Sequence, residues 1–338
     1  MIDLAVIGCG SWGLNHIRTF NTLPEGNVCA IADLVEKRLE HVRAIHPDLR
    51  CERDYRSVVD DPTIDAVVIA TPGKTHYEIA YASLLAGKHV LCEKPLCKYS
   101  EEGEQLLKIA RANRRLLMVG HVFLFNSGIV KLKELVDVGE LGTLRYLSAS
   151  RTNLGPIRSD VNVAYDLCSH DISIFNWLLD SEPEVVSATG ASFVQRGVED
   201  VVLVSMKYPS NVLASIHASW LSPKKVRQIT AVGSRQMATW DDLQEPNPIA
   251  IYDKGVDTVR DYNDFGEFSQ MPTWERDVRL PTISLDEPLR VQAIEFLKCL
   301  QHGGTVRSDG AFGLRLVKVL ETVVTSMHQG GSPVRVEL

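Results

Sequence analysis

The sequence predicts an α/β chain in two parts: a doubly wound parallel sheet over residues 1–120, then an α+β domain over residues 121–338 with a mostly antiparallel sheet. Three observations carry this. Short apolar, β-branched runs alternate with helical patterns as far as residue 120. A glycine-rich loop, Gly8-Cys9-Gly10-Ser11-Trp12-Gly13, lies between the first run and the first helix. Beyond residue 185 apolar residues recur at period two between turn residues, which is hairpin patterning.

A length of 338 residues fits two domains of roughly 150 residues each. With 45% hydrophobic and 23% charged residues, the composition is that of a soluble globular protein. The net charge of −7 and the lack of any basic cluster argue against a nucleic-acid partner. No run approaches the roughly 18 apolar residues that would point to a membrane. Met1-Ile2-Asp3 leads straight into a strand pattern, so no signal peptide is expected. The seven cysteines are odd in number and lack a C-x-x-C pair. That usage fits reduced thiols in a cytoplasmic protein rather than a disulfide frame or a zinc knot.

Residues 2–7 read as the first strand, and the glycine loop follows with G-x-G-x-x-G spacing. The spacing alone is weak, but here it directly follows a strand and opens a helix. The first glycine allows the tight turn and the second lets a pyrophosphate approach the backbone. The third lets the helix pack close to the strand, and the helix N-terminus offers free N–H groups. Ser11 and Trp12 lie in the same loop and join Gly8, Gly10 and Gly13 as candidate cofactor residues. Strand 28–32 ends in Asp33, twenty residues beyond Gly13, where a carboxylate accepts hydrogen bonds from an adenosine ribose. A carboxylate there repels a 2′-phosphate and favours NAD over NADP, against the nearby Lys37 and Arg38. The alternative role for Asp33 is a helix N-cap.

A helix over 35–45 stops before Pro47, a helical turn covers 55–59, and strand 66–70 ends at Thr71-Pro72. The helix 76–85 closes at Gly87. Strand 89–92 then delivers Glu93-Lys94-Pro95. Proline cannot extend a ladder and restricts the residue before it, so Lys94 stands at a strand end, where open α/β sheets hold ligands. Ser100 is expected to cap a helix reaching residue 113, and 116–119 is the last strand of this Rossmann unit.

Past Gly120 come a helix (128–138), a strand (144–151), a loop (152–163) and a helix (166–179). Runs 201–208, 212–220, 226–232, 236–240 and 249–252 read as the antiparallel strands. Residues 253–288 read as an irregular excursion or lid, and helices 289–301 and 312–328 close the chain. Asp166 and His170, four apart, share one face of a regular α-helix. A carboxylate can hold an imidazole in one tautomer and stabilise its cation, which suits proton removal from an alcohol. No third carboxylate or histidine completes a metal site, and Asp171 reads as a surface or inter-domain charge. His76 and His121 follow strand ends near the expected dinucleotide, where each can contact ligand or serve as a cap or core partner.

Taken together, the glycine loop, Ala70-Thr71-Pro72 with His76, Glu93-Lys94-Pro95, Gly120-His121 and Asp166-x-x-x-His170 resemble the glucose-fructose oxidoreductase / inositol dehydrogenase / rhizopine catabolism (Gfo/Idh/MocA) family. The likeness covers essentially the whole chain. It implies NAD as cofactor, with Thr71, Pro72, His76, Glu93 and Lys94 joining the cofactor residues. It implies Lys94, Asp166 and His170 as catalytic residues and adds His121, Asn153 and Tyr165 to the substrate residues. It also implies that the second domain is an open sheet that pairs copies into a homodimer or homotetramer. Family members often carry a glycine-rich stretch before the aspartate. This chain has Asp160-Val161-Asn162-Val163-Ala164-Tyr165 instead. With Asn153-Leu154-Gly155 and Ile251-Tyr252-Asp253-Lys254-Gly255, that stretch resembles the nucleotide-sugar branch of the UDP-N-acetylglucosamine 3-dehydrogenase type.

The implied reaction is oxidation of a secondary sugar hydroxyl to a ketone, with hydride passing to NAD. His170 is the first choice of base, with an ordinary pKa of roughly 6.5, and Lys94, ordinarily near 10.4, holds the hydroxyl. The two roles can be exchanged. An inositol or monosaccharide dehydrogenase, an NAD-dependent glycosidase and a non-catalytic NAD sensor are the competing readings.

Overall fold

Six short strands of the N-terminal third pair in parallel: β1 (Ile2–Ile7), β2 (Gly26–Ala32), β3 (Arg50–Glu52), β4 (Ala66–Ile69), β5 (His89–Glu93) and β6 (Leu117–Gly120). Their order is β3-β2-β1-β4-β5-β6, the arrangement of dinucleotide-binding sheets. Leu4 to Ile7, Ala66 to Ile69 and Val90 to Cys92 are at most 2% exposed. A parallel sheet covered on both faces requires such unbroken apolar runs. The strand order reverses between β1 and β4, so the turns after these two strands lie where such folds take ligands. Helices α1 (Ser11–Asn21), α2 (Glu36–Ile45), α3 (Arg56–Val59), α4 (His76–Leu85) and α5 (Ser100–Ala112) join the strands.

This is a computed structural model describing residues 1–256 and 273–338. The chain divides into two compact units. One comprises Met1–Phe125, Asp286–Glu321 and Glu337–Leu338, the other Asn126–Leu285 and Thr322–Val336. A division of the chain at residue 120 does not include the return of 286–321 to the first unit. There the helix Pro288–His302 sets Phe296 edge-on against Phe20 of α1, with centroids 6.4 Å apart. The carbonyl of Ser308 accepts from the Val119 N–H of β6, at 2.8 Å.

The second unit is built on a nine-stranded sheet of order β14-β13-β12-β11-β7-β10-β9-β8-β15. Its strands are β7 (Leu144–Leu154), β8 (Val185–Ala191), β9 (Val201–Lys207), β10 (Leu213–Ser219), β11 (Leu221–Gly233), β12 (Met237–Asp241), β13 (Ile249–Val256), β14 (Thr273–Arg279) and β15 (Val334–Arg335). Pairing is antiparallel except between β7 and β10. Helices α6 (Ser127–Asp137) and α7 (Ser169–Leu179) belong to this unit.

Several boundaries differ from the sequence expectation. The irregular excursion expected over 253–288 includes a described hairpin pair, β13 with β14, and its middle lies outside the described residues. Ser100 is the first residue of α5 rather than its cap, and its N–H donates to Glu321 at 3.0 Å. Glu102 closes that helix start by accepting from the N–H groups of Lys98 and Tyr99.

Candidate active site

In the first unit the fold requires two of the three loop glycines, Gly8 and Gly13, and leaves open space at the third. Gly8 has φ +96°, a left-handed conformation that a side chain disfavours, and an added Cβ would lie 2.7 Å from the Ala70 carbonyl. At Gly13 a Cβ would lie 1.8 Å from the Gly8 oxygen, so the helix packs on the loop only because this residue is bare. A Cβ on Gly10 would meet nothing within 4 Å among the described residues. Gly10 also caps α1 without a side-chain hydrogen bond, so no capping side chain competes for the first N–H groups of that helix. Ser11 is exposed, and Trp12 is 46% exposed beside it.

Asp33 stands at the end of β2, 8% exposed, with both oxygens engaged. Oδ2 accepts from the Cys9 N–H at 2.7 Å and from Arg38 at 3.3 Å, while Oδ1 accepts from the Val35 N–H at 2.8 Å. The carboxylate therefore braces the glycine loop against Val35, and it is Val35, not Asp33, that stands at the N-cap of α2. These features fit a dinucleotide. The Gly10 cradle and the start of α1 would hold the pyrophosphate, and Asp33 would face the adenosine ribose.

Thr71 and Pro72 follow β4, and the Thr75 hydroxyl donates to Thr71 Oγ1 at 2.9 Å. Next to them β5 ends at Glu93, followed by Lys94 and a cis peptide to Pro95. His76 is 1% exposed, with Nδ1 2.7 Å from the Pro95 carbonyl and Nε2 2.9 Å from the Thr71 carbonyl. Burial pushes its pKa down, and the two carbonyls and Glu93 oppose that. Each ring nitrogen of His76 thus faces a backbone carbonyl, and a singly protonated ring donates to one of the two. Glu93 accepts from Nε2 of the buried His16 of α1 at 2.9 Å, a partner the sequence reading did not single out. Gly120 leaves room for this carboxylate, since a Cβ there would come within 3.1 Å of it. His121 is 1% exposed, and neither ring nitrogen has a hydrogen-bond partner among the described residues. Burial, with the Lys94 charge adding to it, lowers its pKa to about 3.

In the second unit Asp166 lies in a π-helical turn, Ala164–Cys168, that precedes α7. The Ser169 N–H reaches back five residues to the Ala164 carbonyl. The expectation of a regular α-helix through both residues is therefore corrected: the turn carrying Asp166 is wider than the one carrying His170. Asp166 Oδ1 accepts from Arg158 and Oδ2 from the Trp220 indole, each at 3.1 Å. Arg158 also grips Asp160, at 2.6 and 2.9 Å. Asp171 is not a surface charge. It is 1% exposed and takes a bidentate pair from Arg151 of β7, with N–O distances of 2.8 to 3.1 Å. That pair ties the residue after His170 to the sheet. Tyr165 donates its N–H to Asn162 at 3.2 Å, and Asn153 is half-buried on β7. The sequence reading missed Arg158, Trp220 and Arg151, whose partners are set by strand pairing and loop path. Among the described residues no cluster of histidine, cysteine and carboxylate could hold a metal ion, and no helix is long and apolar enough to cross a membrane.

A parallel sheet with a bare glycine cradle and a carboxylate at the next strand end defines a dinucleotide-binding fold. The family description "Oxidoreductase family, NAD-binding Rossmann fold" matches residues 2–121, and "GFO/IDH/MocA C-terminal domain" matches residues 129–239. The chain belongs to the Gfo/Idh/MocA oxidoreductase family. Inositol 2-dehydrogenase 2 of Saccharopolyspora erythraea is 36% identical over 192 residues, 56% of this chain and 56% of its own. UDP-N-acetylglucosamine 3-dehydrogenase of Acidithiobacillus ferrooxidans is 29% identical over 254 residues, 74% of this chain and 78% of its own. The solved structure of that organism's UDP-N-acetylglucosamine 3-dehydrogenase GnnA has a TM-score of 0.81 at 25% identity, covering 97% of this chain and 98% of its own. Levoglucosan dehydrogenase in complex with NADH and L-sorbose shares the fold, with a TM-score of 0.84 at 19% identity over 99% of both chains. The chain spans 56% to 67% of the length of the first curated relatives it matches.

Proposed function

We propose that this protein is an NAD-dependent dehydrogenase that oxidises a secondary hydroxyl of a sugar to a ketone. The observation that carries the reading is the Gly10 cradle at the uncapped start of α1, with Asp33 at the neighbouring strand end. The bound nicotinamide would take up the hydride. The chain's own residues must then remove the hydroxyl proton and hold the oxygen in place. His170 is the proposed base, because an imidazole titrating near neutral pH matches that task. Lys94 is the proposed hydrogen-bond donor to the same oxygen, stabilising negative charge as the proton leaves. Asp166, held by Arg158 and Trp220, is the proposed partner that favours the protonated imidazole. Both Asp166 oxygens accept from protein donors, which fixes where the carboxylate stands.

NAD is proposed over NADP because Asp33 presents a carboxylate where a 2′-phosphate would lie. The proposed substrate is a nucleotide sugar such as UDP-N-acetylglucosamine, oxidised at C3. The match to UDP-N-acetylglucosamine 3-dehydrogenase, over three quarters of the chain, supports this. A cyclic polyol is the second reading, supported by the 36% identity to an inositol 2-dehydrogenase. His121, Asn153 and Tyr165 are proposed substrate residues. We place the protein in the cytoplasm and propose a homodimer or homotetramer formed through the sheet of the second unit. Tyr146, Leu203 and Leu213 are about half exposed on three adjacent strands of that sheet. The test is turnover of Lys94→Ala and His170→Ala with NAD⁺ and UDP-N-acetylglucosamine, measured beside NAD⁺ affinity. Loss of turnover with cofactor binding intact is expected. Full turnover in either variant overturns the role given to that residue.

A further inference from the structure

Lys94 has no neighbour in sequence that is left to itself: the residue on either side is held by a buried histidine. Before it, Glu93 accepts from His16 Nε2 at 2.9 Å, with the His16 side chain 1% and the Glu93 side chain 11% exposed. The second carboxylate oxygen, Oε2, accepts from the Lys94 N–H at 3.3 Å. After it, the Pro95 carbonyl faces His76 Nδ1 at 2.7 Å, while His76 Nε2 faces the Thr71 carbonyl at 2.9 Å. The turn after β4 also lies against this proline, since a Cβ on Gly73 would be 3.5 Å from Pro95 Cδ. An ionised carboxylate and a carbonyl only accept, so each nitrogen facing one must carry a proton to bond. His16 meets this with a proton on Nε2. His76 can donate to both carbonyls only as the doubly protonated ring, and otherwise bonds one of them.

We propose that His16 and His76 are positioning residues for Lys94. His16 couples its strand end to α1, the helix that starts at the glycine loop, and His76 couples it to the turn after β4. Both act through Lys94, so the proposal rests on the reading that Lys94 contacts the reacting hydroxyl. Neither histidine touches substrate in this account. Their work is to fix where the ammonium stands relative to the strand ends that receive the dinucleotide. A small displacement of such a group is costly, because a reacting geometry off by about 1 Å can lose on the order of a hundredfold in rate.

The test is a pair of double-mutant cycles, His16→Phe with Lys94→Ala and His76→Phe with Lys94→Ala, combined with hydrogen exchange of the cofactor-free protein. In the intact chain each histidine substitution should lower kcat by about 10- to 100-fold, with KM and NAD⁺ affinity changed less than about threefold. His16→Gln, which keeps a donor toward Glu93, should restore most of the loss. In the Lys94→Ala background either substitution should cost nothing further. Amide exchange should rise over residues 93–96 and stay unchanged over β4. Equal losses with and without Lys94 would overturn the proposal, as would unchanged turnover in a folded His→Phe chain. If a phenylalanine variant fails to fold, His76→Leu and His16→Leu, which likewise remove the ring donors, are measured in the same cycles with the same criteria. Full turnover of Lys94→Ala alone would instead overturn the role given to Lys94.

Discussion

Replacing Gly10 by alanine should separate cofactor binding from folding. Its backbone, φ −71° and ψ −170°, is extended and open to any residue, and the added methyl meets no atom of the described residues within 4 Å. The cost to the fold should therefore stay within about 0.5 kcal/mol. The methyl nevertheless stands beside the N–H groups that begin α1, where a pyrophosphate must come close. Charge-assisted hydrogen bonds of this kind contribute about 1.5–3 kcal/mol each. Losing one of them should raise the NAD⁺ dissociation constant by about 10- to 150-fold. The two flanking glycines give the contrast. Alanine at Gly8 pays a left-handed penalty of roughly 1–2 kcal/mol and also meets backbone at 2.7 Å. At Gly13 it would lie 1.8 Å from a carbonyl oxygen, and that variant should fold poorly. Calorimetric NAD⁺ titration beside thermal unfolding reads both quantities. NAD⁺ affinity within about twofold of wild type, or a stability loss matching that of Gly13→Ala, would refute the reasoning.

Three further outcomes follow from the two units. Arg151→Met leaves Asp171 buried and uncompensated and should destabilise the second unit by about 3–5 kcal/mol in denaturant, whereas Arg151→Met with Asp171→Leu should recover most of it. A single variant as stable as wild type contradicts this. Asp33→Ser should shift the NADP⁺-to-NAD⁺ ratio of kcat/KM upward by about tenfold or more, and an unchanged ratio removes Asp33 as the discriminating group. His121 has a folded pKa of about 3, depressed mainly by burial, against roughly 6.5 unfolded. Its contribution is complete above pH 6.5 and is lost as pH falls toward 3, because only the unfolded chain then binds the proton. Wild type should lose about 1.4 kcal/mol per pH unit more than His121→Phe across that window, and parallel pH–stability curves would contradict it.

The parts legible in the sequence were those set by local chemistry. The glycine loop, Asp33 and Glu93-Lys94-Pro95 each follow a strand, and the parallel sheet places all three strand ends together. The hairpin strands from Val201 onward were visible because their apolar residues alternate in register with one buried face. What escaped depends on partners distant in sequence or on backbone register. His16 meets Glu93 across 77 residues, and Arg151 meets Asp171 across 20. Residue spacing alone does not reveal that the turn at Asp166 closes five residues back, so a four-residue interval was read as one α-helical face. The grouping of Asp286–Glu321 with the first unit likewise leaves no local mark, since an amphipathic helix shows its apolar stripe without naming its neighbour.

The most direct test is reduction of NAD⁺ by the purified protein across UDP-sugars, free sugars and inositols, followed by absorbance of the reduced nicotinamide. The account predicts net reduction with UDP-N-acetylglucosamine and its loss in Lys94→Ala. Reduction with an inositol alone would move the substrate to the polyol reading. No net reduction with any alcohol, while NAD⁺ still binds, would contradict a dehydrogenase.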